Sequence, residues 1–217
     1  MKATVADQPV ATAHTPRRVM LFLDATNLLN QIKTWAEVDF DPHNPPDVAI
    51  NVANQLVSKV TFLWWRHDIL VRRYWCGSFT GSDEAKLAFE TKLHARFFSP
   101  IIMKKLKSDR SEKGVDMAIA IELLANAFNR NLEIAVLVAG DRDYERLVLE
   151  AKRYGPIVVG AFFENKAMSP ELRVALDSFF ALDEPTDPEL RERLRRELTS
   201  APAAPRKGAA TQPREDR

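Results

Sequence analysis

The sequence predicts an α/β protein, a three-layer α/β/α sandwich around a mostly parallel central sheet. Two observations carry this prediction. Residues 19–23 and 134–139 are unbroken apolar runs, which are typical of strands buried on both faces of a parallel sheet. Segments of strand character also alternate with segments of helical character along the chain, as they do in successive βαβ units.

The strands are separated by turn-forming or helical segments. We expect strands at 19–23, 69–75, 101–106, 134–139, 157–162 and 178–182, the last as a short edge strand. The glycines at both ends of 77–81 predict a loop directly after the second strand.

The helices are predicted from their caps and their apolar spacing. We expect helices to begin near residues 25, 47, 82, 113, 143, 169 and 188. Ser82 suits an N-cap, and Ser169 followed by Pro170 is a helix start. Phe89 and Phe97, with Leu93 between them, predict one apolar stripe on the helix that follows Ser82.

Composition divides the chain into one main domain and flanking segments. At 217 residues the chain is long enough for one well-buried domain but short for a second. We expect a flexible leader at 1–16, the domain at 17–184, a polar C-terminal helix at 185–199 and a disordered tail at 200–217.

Cysteine content and hydropathy exclude several classes. A single cysteine, Cys76, excludes an internal disulfide framework and a cysteine-based zinc cluster, so we interpret it as a buried small residue in a reducing compartment. No apolar run is long enough to span a bilayer, and the first residues lack the apolar core of a signal peptide. We therefore expect a cytoplasmic protein with no membrane partner, and a homo-oligomer is compatible with the sequence.

The formal net charge is only +1, so any nucleic-acid site must depend on local basic patches. One candidate patch comprises Arg66, His67, Arg72 and Arg73, and the other comprises Lys104, Lys105, Lys107, Arg110 and Lys113. A solvated charged surface explains either patch taken alone.

Aspartates follow the two buried strands at the point where each ends. Asp24 follows the first strand, and Asp141 and Asp143 follow the strand at 134–139. Because the carboxyl ends of parallel strands form the binding edge of an open sheet, these side chains are expected in one crevice. Asp116 lies in the first turn of a later helix, in line with its apolar face, where a carboxylate is costly to desolvate unless it is paired or metal-bound.

Each of these acids also has a structural interpretation, because aspartate is among the best helix N-caps. Capping needs one acid at each helix start, however, and the run from Gly140 to Asp143 supplies two, while Asn27 adds an amide that can orient a ligand or a water. Hard cations such as Mg²⁺ and Mn²⁺ prefer carboxylate oxygens and often bring phosphate substrates. We therefore predict a metal site that hydrolyses phosphodiesters.

Other chemistries lack their motifs. The sequence has no Gly-rich phosphate loop followed by Lys-Ser or Lys-Thr, no G-x-G-x-x-G after the first strand and no G-x-S-x-G elbow. A phosphoaspartate phosphatase usually has a second aspartate two residues after the first, where this chain has Thr26.

Four blocks, in this order, resemble those of the NYN domain, specifically its LabA-like bacterial branch. They are Phe22 to Leu28, Glu112 to Met117, Val138 to Tyr144, and Ser169 to Leu172 with Ala175 to Phe179. The resemblance covers about residues 17–183. It implies a PIN-like fold and Mg²⁺- or Mn²⁺-dependent ribonuclease activity on RNA.

By position, the resemblance assigns the metal-site acids and one amide. The acids are Asp24, Asp116, Asp141 and Asp143, and Asn27 is the characteristic amide. The chain departs from the family pattern at Ala25-Thr26, at Tyr144, which replaces the usual Phe, and at Glu122, which stands where Asp is common. The first two departures look conservative because they leave the acids intact.

The leading hypothesis is a metal-dependent endoribonuclease. The alternative is a non-catalytic RNA-binding or regulatory module of the same fold, and a nuclease acting on DNA or structured RNA is a third hypothesis. We predict phosphate-backbone contacts from the second basic patch, with Lys113 nearest the metal site and Arg142 at its rim. The four aromatic residues Trp64, Trp65, Tyr74 and Trp75 are able to stack bases, but such aromatics are more often core or interface residues, so we do not count them as site residues.

Overall fold

Six parallel strands form the central sheet. The computed structural model describes residues 15–64, 68–105, 114–164, 167–183 and 188–200, so the predicted leader and tail lie almost wholly outside the described residues. The strands are β1 (Arg18–Asp24), β2 (Ile69–Phe79), β3 (Ser99–Lys104), β4 (Ile134–Val138), β5 (Ile157–Phe162) and β6 (Ser178–Ala181). Their order across the sheet is β3-β2-β1-β4-β5-β6, and every neighbouring pair is parallel.

Helices cover both faces of this sheet, which confirms the predicted three-layer α/β/α architecture. They are α1 (Ala25–Ala36), α2 (Asp47–Trp64), α3 (Asp83–His94), α4 (Val115–Phe128), α5 (Glu145–Lys152), α6 (Pro170–Ala175) and α7 (Pro188–Ser200). A 3₁₀ turn at Arg142–Tyr144 precedes α5. Among the described residues, no helix has the length and apolar character needed to cross a membrane.

Two apolar cores, one on each face of the sheet, explain the unbroken apolar run of β1. Leu21 and Leu23 belong to the core that includes Ile50 of α2, whereas Phe22 belongs to the core that includes Ile119 of α4. Successive side chains of a strand point to opposite faces, so a strand covered on both faces is apolar throughout.

The strand order changes direction between β1 and β4. From β1 the chain builds outward to β2 and β3, and then crosses back to β4 and continues to β6. In open parallel sheets, the crevice at the carboxyl ends of the two strands beside such a reversal is the usual ligand site. This topology places the ends of β1 and β4, and the aspartates that follow them, at that crevice.

The predicted loop at 77–81 is wrong in its first half, because β2 continues to Phe79. Gly77 and Ser78 pair with Ile102 and Met103 of β3, and this pairing extends the strand past the predicted end at Trp75. A Cβ on Gly77 would lie 3.2 Å from Cβ of Ala25, so glycine allows β2 to pass close to the start of α1.

The predicted apolar stripe on α3 is correct at Phe89 and Leu93, which are buried, but wrong at Phe97, which is 85% exposed. Phe97 ends the helix: its N–H donates to the carbonyl of His94, and the N–H of Phe98 donates to the carbonyl of Leu93. This pair of bonds is a Schellman motif, whose left-handed residue is Phe97 with φ of 61°.

The helix starts follow the sequence prediction more closely. Oγ of Ser82 accepts a hydrogen bond from the N–H of Ala85, and Oγ of Ser169 accepts one from the N–H of Leu172. The last helix, α7, packs against α1 and α2, where Arg191 and Arg195 both pair with Glu37. The predicted polar C-terminal helix is therefore present and is docked on the domain.

Candidate active site

Asp24 is at once the last residue of β1 and the N-cap of α1. Its Oδ1 accepts a hydrogen bond from the N–H of Asn27 at 3.0 Å. The side chain is nearly buried, with the residue 5% exposed. The structural interpretation of Asp24 as a cap is thus correct, but it accounts for only one of the two carboxylate oxygens.

The other oxygen of Asp24 is joined to Asp116 through Tyr144. The Tyr144 hydroxyl lies 2.9 Å from Oδ2 of Asp24 and 2.8 Å from Oδ1 of Asp116. Because both carboxylate oxygens contact one phenol oxygen, Oδ2 of Asp24 and Oδ1 of Asp116 cannot be farther apart than the sum of these two distances. The structure therefore brings together two of the four predicted metal-site acids, from the end of β1 and the start of α4.

The shared hydroxyl remains protonated. Burial raises the pKa of Tyr144, and the charges of Asp24 and Asp116 raise it further. A phenol has one proton, so it donates fully to only one of the two carboxylates at a time. The site therefore concentrates two carboxylates around a single donor, an arrangement that favours a cation between them.

The prediction that Asp116 lies on the buried face of its helix is wrong. Ile119 and Leu123 are buried, whereas Asp116 is exposed in the first turn of α4. The buried carboxylate is that of Asp24. The hydrogen bonds from the N–H of Asn27 and from the Tyr144 hydroxyl offset the desolvation penalty of this carboxylate. Asp116 consequently presents its carboxylate to solvent and to any molecule that enters the crevice.

Asp141 and Asp143 lie on the loop after β4 and are both exposed. Oδ1 of Asp141 accepts a hydrogen bond from the N–H of Asp143 at 3.2 Å, so Asp141 caps the 3₁₀ turn. The loop is held against the first turn of α1, since Oδ1 of Asn27 accepts a hydrogen bond from the N–H of Gly140 at 3.3 Å. The N–H of Asn27 in turn donates to Asp24. Asn27 therefore connects the first turn of α1 to the loop after β4 instead of acting only on a ligand.

Gly140 is required at its position by close packing. A Cβ there would lie 2.3 Å from the carbonyl oxygen of Ala167 and 2.5 Å from the ring of Phe162. The N–H of Ser169 also donates to the carbonyl of Gly140. These contacts fix the loop that carries Asp141 and Asp143 beside the crevice.

The donor set fits a hard cation held by few protein ligands. Across the described residues, no group of three or more His, Cys, Asp or Glu side chains is arranged to hold a metal. The Asp24 and Asp116 pair nevertheless supplies two carboxylates, and Mg²⁺ is usually bound by one or two carboxylates together with waters and substrate phosphates. The described residues therefore form no four-acid cage, whereas Asp24 and Asp116 share one hydrogen-bond donor.

The predicted basic residues that the structure describes are Lys104 and Lys105 at the end of β3 and Arg142 after β4, and they have partners of their own. Nζ of Lys104 lies 2.5 Å from Oδ1 of Asp83, and Nζ of Lys105 lies 3.0 Å from Nε2 of His43. Arg142 forms a 3.5 Å pair with Glu171 at an exposed position. The predicted contacts Lys107, Arg110 and Lys113 lie outside the described residues, as do Arg66 and His67 of the other patch.

Other side chains near the crevice are structural. Tyr74 and Trp75 are buried in the two cores, as predicted. Burial raises the pKa of the Cys76 thiol, with smaller contributions from the charges of Asp24 and Glu122, so Cys76 remains an unreactive thiol.

Sequence reasoning missed the role of Tyr144. The replacement of Phe by Tyr leaves the acids intact, but the added hydroxyl contacts two of them, so the replacement is not conservative. The available signal was that a buried tyrosine almost always finds a hydrogen-bond partner for its hydroxyl.

Comparisons with known proteins agree with this architecture. The NYN domain family matches residues 18–183. A crystal structure from Vibrio parahaemolyticus, described as that of a protein of unknown function, superposes with a TM-score of 0.57 at 17% sequence identity, covering 78% of this chain and 94% of that chain. At this identity the likeness shows the fold alone. Among proteins with curated descriptions, none matches this sequence.

Proposed function

Because the chain belongs to the NYN domain family, whose members are PIN-like nuclease domains, we propose that it is a metal-dependent endoribonuclease. The observation that supports this most directly is the meeting of Asp24 and Asp116 at the hydroxyl of Tyr144. The pair lies at the reversal of strand order, where a substrate has access to the exposed carboxylate of Asp116.

Mg²⁺ or Mn²⁺ is the cofactor that this donor set fits, with Asp24 and Asp116 as ligands and Asp141 and Asp143 as further candidates. When bound, such an ion activates a water and neutralises the charge that develops on the phosphate.

The protein's own contribution is to hold the carboxylates in place. Asp24 is fixed by the N–H of Asn27 at one oxygen, and in the metal-free protein the Tyr144 hydroxyl holds the other. Asn27 also fixes the loop after β4 through Gly140. Rigid positioning of this kind lowers the reorganisation that a reaction requires.

Basic side chains at the rim are proposed to contact the RNA backbone. Arg142 is the clearest described case, because its 3.5 Å pair with Glu171 is exposed and such surface pairs are weak. A phosphate therefore competes easily for this guanidinium. Lys104 and Lys105 are proposed to act in the same way at the end of β3, together with Lys107, Arg110 and Lys113. Such contacts hold the backbone without reading its sequence.

The test is cleavage of a fluorescent single-stranded RNA by the purified protein in Mn²⁺ or Mg²⁺. We expect Asp116→Asn and Asp141→Asn each to lower the cleavage rate by about 100-fold or more. The matched control is Asp39→Asn, which removes an exposed aspartate beyond the far end of α1. It should cleave at the wild-type rate.

Two results would refute the proposal. Equal cleavage by the wild type and by Asp141→Asn or Asp116→Asn would exclude these acids from the reaction. Binding of RNA without cleavage in either metal would support the alternative, a non-catalytic RNA-binding or regulatory module.

A further inference from the structure

A second concave surface lies between α4 and the edge strand β3. It has a volume of about 350 Å³, within the range typical of small-molecule sites. The groove is lined by Ile101 and Met103 from β3 and by Met117, Ile121 and Glu122 from α4. Its lining includes Met117 in the first turn of α4, the turn that also carries Asp116, so the groove lies near the candidate active site.

The walls of the groove are apolar and open to solvent. Met117 is 63% exposed and Ile121 is 59% exposed, although both belong to a helix whose opposite side is packed in the core. Ile101 and Met103 are only partly covered on the facing strand. Methionine side chains make favourable contacts with aromatic rings. The bases of single-stranded nucleic acids are flat aromatic rings, so these walls suit contact with a base.

Glu122 is the one polar side chain in this lining, and its carboxylate has no hydrogen-bond donor among the described residues. Within the part of the chain that the structure describes, its carboxylate forms no hydrogen bond and no ion pair, and its backbone carbonyl alone accepts a bond, from Asn126. The negative charge of Glu122 contributes to the raised pKa of Arg72, but the Arg72 guanidinium donates its hydrogen bond to the hydroxyl of Tyr74. The Glu122 carboxylate can therefore accept a hydrogen bond from a ligand without losing a donor from the described residues.

We propose that this groove receives an RNA base next to the scissile phosphate and that Glu122 accepts a hydrogen bond from the base's exocyclic amino group. The inference rests on the proposed function for its substrate. Carboxylates accept from the amino group of cytosine, whereas uracil presents a carbonyl oxygen at the same place, which Glu122 would repel. Glu122 is then a specificity-determining residue that favours amino-bearing bases over uracil.

A base explains the groove better than a second copy of the chain does. A self-associating face would bring two Glu122 carboxylates near one symmetric interface, where like charges oppose each other. The turn of α4 that the groove shares with Asp116 also places an occupant near the phosphate that the site would act on.

The test compares oligocytidylate with oligouridylate, two pyrimidine homopolymers of one length. Binding is measured by fluorescence anisotropy in EDTA, so that no cleavage is needed. We expect the wild type to bind oligocytidylate about tenfold more tightly than oligouridylate. Glu122→Gln should abolish or reverse this preference, because a glutamine amide also donates to the uracil carbonyl. The control Glu192→Gln, on an exposed position of α7, should keep it.

A second variant keeps the proposal testable if Glu122→Gln folds poorly. Ile121→Ala shortens one exposed wall of the groove, so it should weaken binding of both oligomers while leaving their ratio unchanged. Equal affinity of the wild type for the two oligomers, or no measurable affinity for either, would overturn the proposal. The proposal would also be overturned if the wild type formed a dimer that Ile121→Ala dissociates while the relative affinity for the two oligomers stayed the same, because the groove would then hold a second copy of the chain.

These results separate the two proposals. Glu122-dependent preference for oligocytidylate without cleavage in Mn²⁺ would reject the nuclease activity and keep the base site. Cleavage that is lost in Asp116→Asn, together with equal affinity for oligocytidylate and oligouridylate, would support the nuclease activity and reject the base site.

Discussion

Tyr144 and Asp24, which are 120 positions apart in the sequence, are joined by a 2.9 Å hydrogen bond beneath the crevice of the sheet. The same hydroxyl reaches Asp116 at 2.8 Å, so a single phenol sets the spacing of two carboxylates. A cation that binds both acids must compete with this hydroxyl for their oxygens.

Tyr144→Phe is therefore expected to have opposite effects on the metal-free and metal-bound protein. Without metal, the free energy of unfolding should fall by about 1 kcal/mol, because a buried hydrogen-bonding hydroxyl is lost. Mn²⁺ affinity should rise about fivefold, because the oxygens no longer contact a competing donor. Urea unfolding and Mn²⁺ titration measure the two effects.

The matched control for that variant is Tyr154→Phe, which removes an exposed hydroxyl that contacts Glu150. It should change neither quantity. Weaker Mn²⁺ binding by Tyr144→Phe would show that the hydroxyl supports the metal site instead of competing for it.

Asn27→Ala should loosen the connection between the first turn of α1 and the loop after β4. The variant leaves the buried N–H of Gly140 without its 3.3 Å acceptor, so the free energy of unfolding should fall by about 1–3 kcal/mol. Asn27→Asp retains an acceptor oxygen at the same place and should lose less than half as much. Urea denaturation of the two variants measures the difference, and equal losses would contradict the assigned role of the amide oxygen.

Phe97→Gly should stabilise the protein. Phe97 is the left-handed residue that ends α3, with φ of 61°, and its ring is almost fully exposed, so its loss costs little packing. We expect the free energy of unfolding to rise by about 0.5–1 kcal/mol. Phe97→Ala, which keeps the Cβ and its strain, should give no comparable gain in the same thermal melts. A gain of equal size in both variants would assign the effect to the exposed ring.

The sequence predicted the sheet well because buried parallel strands carry an unmistakable apolar run, as in β1 and β4. It missed the extension of β2 to Phe79, since the pairing of Gly77 with Ile102 depends on a strand that follows 20 or more residues later, not on local turn propensity. The prediction for Phe97 was wrong for a related reason. The helical spacing of apolar residues continues past His94, where α3 ends, so it assigns Phe97 to a face that no longer exists there.

The structure brings together two of the four acids that the sequence placed at the candidate site. Asp24 and Asp116 do meet, but the sequence could not show that Tyr144 lies between them, because that contact joins three distant segments. It also assigned burial to the wrong acid. Helical periodicity places Asp116 in line with Ile119 and Leu123, yet the first turn of α4 leaves it exposed at the crevice.

We propose that Asp24 and Asp116 bind one divalent cation together. Titration of the protein with Mn²⁺, with free Mn²⁺ followed by electron paramagnetic resonance, tests this without any requirement for turnover. We expect Asp116→Asn to bind Mn²⁺ at least about tenfold more weakly than the wild type, because one of two carboxylate ligands is lost, while Asp39→Asn binds it unchanged. Equal Mn²⁺ affinity in the wild type and Asp116→Asn would contradict the claim.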